Sequence, residues 1–171
     1  MVIIWIFLYW REVQTKTAHP ICLQKISLNE EIDAAHANIH PCIGCVHCGY
    51  EGPCSLSDDM DIFREQILNA DMLVFVTPLY YYGMSAQLKI LIDRFCSRNS
   101  SIQRKNMKSA LLTVAYNSSD WTFDALESHY DTLADILISM IAEGYWVMGV
   151  EHLQWLNIPN IQNRLMNLEK V

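Results

Sequence analysis

Short apolar, β-branched or aromatic runs alternate along this chain with longer stretches in which apolar residues recur every three or four positions. That is the pattern of βαβ units around a parallel sheet. Five runs read as strands: residues 2–9, 21–28, 72–77, 109–116 and 145–150. Three are continuous apolar runs, as expected of strands covered by helices on both faces. Between the strands, Met60, Phe63 and Ile67 share one helical face behind Ser57 and the paired carboxylates Asp58 and Asp59, which favour a helix N-terminus. Met84, Leu88, Leu91, Ile92 and Phe95 make a second stripe, and Phe123, Leu126, Tyr130, Leu133, Leu137 and Met140 a third. Methionines and aromatics at this spacing beside leucines read as core. Residues 10–20 and 29–57 show no clear element, and a last short helix is expected after Pro159, with Ile161, Leu165 and Leu168 facing inward.

The 171 residues, 51% of them apolar, suit one core and therefore a single domain spanning 1–171. A net charge of −7 without a segregated basic patch argues against nucleic acid as a partner. The apolar opening run of residues 2–9 is far short of the ~20 residues that a membrane helix needs. It has no basic segment before it and no small-residue cleavage site after it, so a secretory signal is not expected either. The expectation is a cytoplasmic protein, in a compartment where thiols stay reduced and clustered cysteines hold metal or do redox chemistry.

Four of the six cysteines stand in one array, Cys42, Cys45, Cys48 and Cys54, in the pattern C-x2-C-x2-C-x5-C, and three of the six glycines lie inside it. Thiolates at this spacing can wrap an iron–sulfur core, with the glycines letting the backbone fold tightly enough for Cys54 to close the site. Zinc accepts four thiolates as well, but more often from paired C-x2-C knuckles separated by a longer spacer. Four free thiols lining a loop are the plain alternative. His40 and His47 flank the array and read as loop histidines; Cys22 and Cys96 lie in apolar elements and read as small buried hydrophobes.

In an open parallel sheet, ligands bind beyond the carboxyl ends of the strands. Two loops lie there. Residues 78–84 (Pro78, Leu79, Tyr80, Tyr81, Tyr82, Gly83, Met84) offer backbone amides and three consecutive tyrosines, a set suited to a flat aromatic ligand. A surface or interface patch is the competing reading for the tyrosines. Residues 117–121, with Asn117, Ser118 and Asp120, are polar enough to hydrogen-bond a ring edge or a polyol chain, and equally suit a turn that caps the next helix.

At these residues the chain resembles the flavodoxin-like NAD(P)H-dependent FMN reductases, in particular their iron–sulfur flavoprotein branch. The resemblance is carried by Pro41, Cys42, Cys45 and Cys48, by Cys54 followed by Asp58, Asp59 and Met60, by Ala70 and Asp71, by Thr77, Pro78, Leu79 and Tyr80, and by Met84, Ser85, Leu88, Lys89, Asp93 and Arg94. It implies an α/β three-layer sandwich with a five-stranded parallel sheet in the order 2-1-3-4-5 and FMN across the ends of strands one, three and four. It also implies that residues 78–84 carry the flavin ring and that Cys42, Cys45, Cys48 and Cys54 hold a [4Fe-4S] cluster. The implied protein is a homo-oligomer that draws electrons from NAD(P)H and passes them to a small-molecule or redox-protein acceptor.

The departure lies after the first strand. Members of the family place a glycine-containing loop there, which cradles the FMN phosphate at a helix start. Here the stretch is Tyr9 to Thr17, without a glycine. Arg11, Thr15 and Thr17 remain as candidate phosphate contacts. Phosphate binding is then weakened or rebuilt, or these first residues are not the family's usual start. The alternative is a flavodoxin-fold module that has lost FMN and binds metal or a partner through the cysteine loop, and a third reading is a zinc-stabilised structural domain.

Overall fold

The computed structural model describes residues 5–9, 30–117, 119–137 and 140–148. At its centre β3 (Met72–Pro78) pairs in parallel with β4 (Lys108–Ala115), which pairs in parallel with β5 (Met140–Met148). On the other side of β3 lies β1 (Trp5–Tyr9), followed by β2 (Glu30–Asp33), so the sheet order is β2-β1-β3-β4-β5. Leu73, Val74 and Phe75 in β3 and Ala110 and Leu111 in β4 are buried, as continuous apolar runs covered on two faces must be.

Among the described residues four α-helices flank the sheet: α1 (Met60–Asn69), α2 (Ala86–Asp93), α3 (Asn99–Lys105) and α4 (Asp124–Leu137). Met60, Ile67, Leu88, Leu91, Leu126 and Tyr130 bring their apolar stripes into one cluster with Phe75 and Leu111. The Tyr130 ring meets Phe75 edge-on at 6.4 Å, and its hydroxyl pairs with Ser109 at 2.8 Å. Burial pushes the Tyr130 phenol up to about 12.

Several expectations need correction. The sheet is not wholly parallel, because β1 runs antiparallel to both β2 and β3. An apolar run presents the same alternation of faces when reversed, so periodicity settles which side is buried but not the direction of the strand. β2 falls in a stretch expected to lack an element; its polar sequence, with a single buried Ile32, gives no alternating signal. The expected strand at 145–150 starts earlier, at Met140, which was expected to continue the helical stripe of α4. Pairing of Met140 with Lys108 overrides that local spacing. The second stripe breaks after Asp93 into a 3₁₀ helix (Arg94–Arg98), and α3 follows it, ending at Asn106 with φ +56°. The expected strand at 21–28 and the helix after Pro159 lie outside the described residues, as does Cys22. No helix among the described residues is long and apolar enough to cross a membrane.

Candidate functional site: a thiol cavity and an aromatic strand-end crevice

Residues 40–57 fold over the 3₁₀ helix and enclose a cavity of ≈ 260 Å³ lined by Cys42, Cys45, Cys48, Cys54 and Cys96, with Arg94 in its wall. All four cysteines of the array therefore reach one space. The backbone of the loop is tightly wound. Gly44 and Gly49 carry φ of +66° and +54°, and a Cβ on Gly52 would stand 2.9 Å from the Cys48 carbonyl oxygen. That carbonyl accepts from the Gly52 N–H at 2.7 Å and from the Glu51 N–H at 3.2 Å, closing the turn on which Cys48 sits.

Two polar clamps hold the loop. Arg94, 1% exposed, donates from Nη1 to Asp58 at 2.6 Å and to the His40 carbonyl at 2.8 Å. Asp58 in turn accepts from the His40 N–H at 3.0 Å and the Met60 N–H at 3.1 Å. Burial works to raise the Asp58 pKa, but the hydrogen bonds from Arg94 and from the His40 and Met60 N–H groups, with the Arg94 charge, outweigh it and hold the carboxyl below its ordinary range. The carboxylate pair expected to favour the start of α1 thus also ties the loop down, since Asp59 accepts from the Asn38 N–H at 2.8 Å. At the other end, Glu51 accepts from Ser101 at 2.6 Å and from Arg104, and its pKa is held at about 2, first by the Ser101 hydroxyl and then by Arg104. Arg98 donates to the Glu51 carbonyl at 2.6 Å.

The thiols differ in surroundings. Cys45 lies 3.2 Å from the Ser55 hydroxyl, which with the His47 backbone lowers its pKa. Cys54 accepts from the Leu56 N–H at 3.5 Å, and Cys48 points its thiol at the Cys96 carbonyl at 4.0 Å. Cys96 corrects an expectation. It is half-buried and lines the cavity rather than filling the core, and burial, then the neighbouring Cys48, push its thiol up. Its place on the wall follows from the 3₁₀ geometry of Arg94–Arg98, which helical spacing does not reveal. His40 stays exposed, 3.4 Å from Asp58, and His47 is exposed too. Among the described residues no three His, Cys, Asp or Glu side chains converge as a single metal ion requires.

The second region lies beyond the carboxyl ends of β3 and β4. Thr77 and Ser85, both buried, close the root of the 78–84 loop, with the Ser85 N–H donating to Thr77 Oγ1 at 2.9 Å. Ser85 Oγ then accepts from the Leu88 N–H and caps α2. Leu79 and Met84 pack against the core, while Tyr80, Tyr81 and Tyr82 are exposed. Tyr80 and Gly83 exchange two hydrogen bonds of 3.0 Å, and the turn residues Tyr81 and Tyr82 sit at φ +47° and +63°. Glycine or asparagine normally occupies such positions, so two bulky aromatics there carry strain. In the loop after β4, Asn117 Oδ1 accepts from the Ser119 N–H at 3.2 Å, a turn of the expected kind. Trp121 brings the two loops together, its ring 5.1 Å from that of Tyr82. Sequence spacing could not signal that pairing. Arg11, Thr15, Thr17 and Ser118 lie outside the described residues.

Apart from the reversed β1, the order of strands and helices is flavodoxin-like. The solved structure of the Trp repressor binding protein from Bacillus subtilis matches 64% of this chain and 75% of its own, with a TM-score of 0.52 at 20% identity. The NAD(P)H:quinone oxidoreductase from Methanothermobacter marburgensis matches 71% of this chain and 64% of its own, with a TM-score of 0.50 at 20% identity. At these identities the likeness concerns the fold alone. The model of the NADPH-dependent FMN reductase family matches residues 16–151, and the chain belongs to that family. An iron-sulfur flavoprotein of Methanocaldococcus jannaschii is 36% identical over 85 residues, 50% of this chain and 44% of that protein. An iron-sulfur flavoprotein of Methanosarcina thermophila is 30% identical over 98 residues, 57% of this chain and 51% of that protein. The chain spans about half the length of these curated relatives. The resemblance read from the cysteine array and the 77–85 segment is borne out at the level of the family.

Proposed function

We propose that the protein is an FMN-dependent oxidoreductase that takes electrons from NAD(P)H and delivers them to a small-molecule or redox-protein acceptor, with a [4Fe-4S] cluster on Cys42, Cys45, Cys48 and Cys54. The observation that carries the flavin reading is the strained tyrosine hairpin beside Trp121 at the ends of β3 and β4, inside a chain of the FMN reductase family. Tyr80, Tyr82 and Trp121 offer aromatic faces to a flat ring, and the backbone of residues 78–84 offers its edge hydrogen bonds. Strained φ values persist where the surroundings hold them for a purpose, and ring binding supplies one here. Arg11, Thr15 and Thr17 are the proposed phosphate contacts. The residues bind and orient; hydride and single-electron chemistry is supplied by FMN when bound.

The thiol cavity offers a donor set that a cluster accepts. That set is soft sulfur, with Cys42, Cys45, Cys48 and Cys54 all lining one space. Buried Arg94 sets a positive charge beside Cys54, which suits an anionic thiolate assembly. Exposed Ile43, Val46 and Tyr50 on the rim are the surface we assign to a second copy of the chain.

The test is anaerobic purification, reconstitution with FMN and then with iron and sulfide, and a visible spectrum with iron and flavin assays. Bound flavin and NAD(P)H oxidation above buffer are expected. No flavin retained after incubation with FMN sinks the oxidoreductase reading, and zinc without iron sinks the cluster.

A further inference from the structure

The cavity holds one thiol more than the array supplies, that of Cys96, and Cys48 reaches toward it. Cys48 sits on a turn pinned by the hydrogen bonds of Gly52 and Glu51 to its carbonyl, and its thiol is directed across the cavity at the Cys96 carbonyl, 4.0 Å away. Cys96 is carried by the 3₁₀ helix, whose first residue, Arg94, is locked by Asp58 and whose next turn is tied by Ser97 Oγ donating to the Arg94 carbonyl at 3.2 Å. The same helix also clamps the loop, through Arg94 at Asp58 and the His40 carbonyl and through Arg98 at the Glu51 carbonyl, so the two sides are held against each other. Two of the other loop thiols have partners of their own, Cys45 at the Ser55 hydroxyl and Cys54 at the Leu56 N–H. Cys42 and Cys45 are also exposed, whereas Cys48 and Cys96 are both half-buried.

We propose that Cys48 and Cys96 form a disulfide when the cavity is free of metal and a disulfide oxidant such as oxidised glutathione is present. One thiolate of the pair attacks the glutathione disulfide and releases one reduced glutathione, leaving a mixed disulfide; the second thiol displaces the other glutathione. The two cysteines lose two electrons and two protons, and one oxidised glutathione becomes two reduced molecules. A Cys48 sulfur bound to Cys96 can no longer ligate iron, so the two bonds exclude each other and the cross-link locks the loop onto the 3₁₀ helix. This consequence for iron rests on the cluster reading, but the disulfide itself does not.

The experiment uses reduced, metal-free full chain exposed anaerobically to oxidised glutathione, followed by iodoacetamide to cap remaining thiols, proteolysis and mass spectrometry. The expected result is a peptide pair joining Cys48 to Cys96, 2 Da lighter than the two thiol peptides, with Cys42 and Cys45 capped. A bond within the array instead, such as Cys42 to Cys45, or a capped Cys96, overturns the proposal. The oxidised chain should take up iron and sulfide only after dithiothreitol, whereas Cys96→Ser treated identically should load without it. Equal loading of oxidised and reduced wild type overturns the exclusion. If reduced wild type takes up no iron at all, the cluster reading fails, and the peptide map still decides the disulfide.

Discussion

The thiol cavity and the aromatic crevice reach their geometry by opposite means. The cavity is set in advance: a buried ion pair, a glutamate cluster and a glycine turn hold its loop at separate points. The crevice leaves its aromatic groups in water, with Tyr81 fully exposed and Tyr82 touching Trp121, above a root closed by Thr77 and Ser85. A site that gathers several thiolates must resist their repulsion, and fixed buried charge does that. A site that admits an aromatic ligand needs accessible faces that can adjust.

The sharpest way to break the contrast is at Asp58. Its side chain is fully buried against Arg94, so Asp58→Ala leaves an uncompensated guanidinium. A loss of about 3–5 kcal/mol in denaturant unfolding is expected, as for other broken buried pairs. A loss under about 1 kcal/mol would mean that water reaches the pair and that the loop is not preset.

The glycines provide a matched comparison. Gly52→Ala forces a Cβ against the Cys48 carbonyl, and a loss of about 1–3 kcal/mol with reduced iron uptake is expected from such overpacking. Gly83→Ala meets its nearest atom at 3.8 Å and should change stability by no more than about 0.5 kcal/mol. Equal effects in the two variants would erase the distinction between a tight loop and an open one.

Smaller effects test the crevice. A double-mutant cycle on Tyr82→Ala and Trp121→Ala should give a coupling of about 0.5–1.5 kcal/mol in FMN affinity, the range of aromatic pairs. Strict additivity would show that the rings act separately on the ligand.

Glu51 gives the smallest effect and one with a definite pH window. Its pKa is depressed from 4.5 to about 2 in the folded chain, so its contribution is full above about 4.5 and is lost as pH falls toward 2. In Glu51→Gln the stability difference from wild type should shrink across that interval. A difference independent of pH would show that Ser101 and Arg104 do not favour the charged form.

Much of this was legible locally. The array at 42–54, the tyrosines at 80–82 and the buried runs of β3 and β4 stand out in the sequence, because turn-forming glycines and strand periodicity act over a few residues. Cys96 was misread because a helical stripe cannot show a 3₁₀ turn, and β2 was missed because one buried isoleucine among carboxylates leaves no period.

By itself, then, the sequence determined the thiol array, the aromatic loop and the kinship to FMN reductases, all of which rest on residue identity at short range. Only the tertiary structure decided the reversed direction of β1, the entry of Cys96 into the cavity, the Arg94 to Asp58 pair and the meeting of Tyr82 with Trp121. These join residues far apart in the chain. They are selected by which charges can be buried together and which surfaces exclude water, and neither is written in the local spacing of side chains.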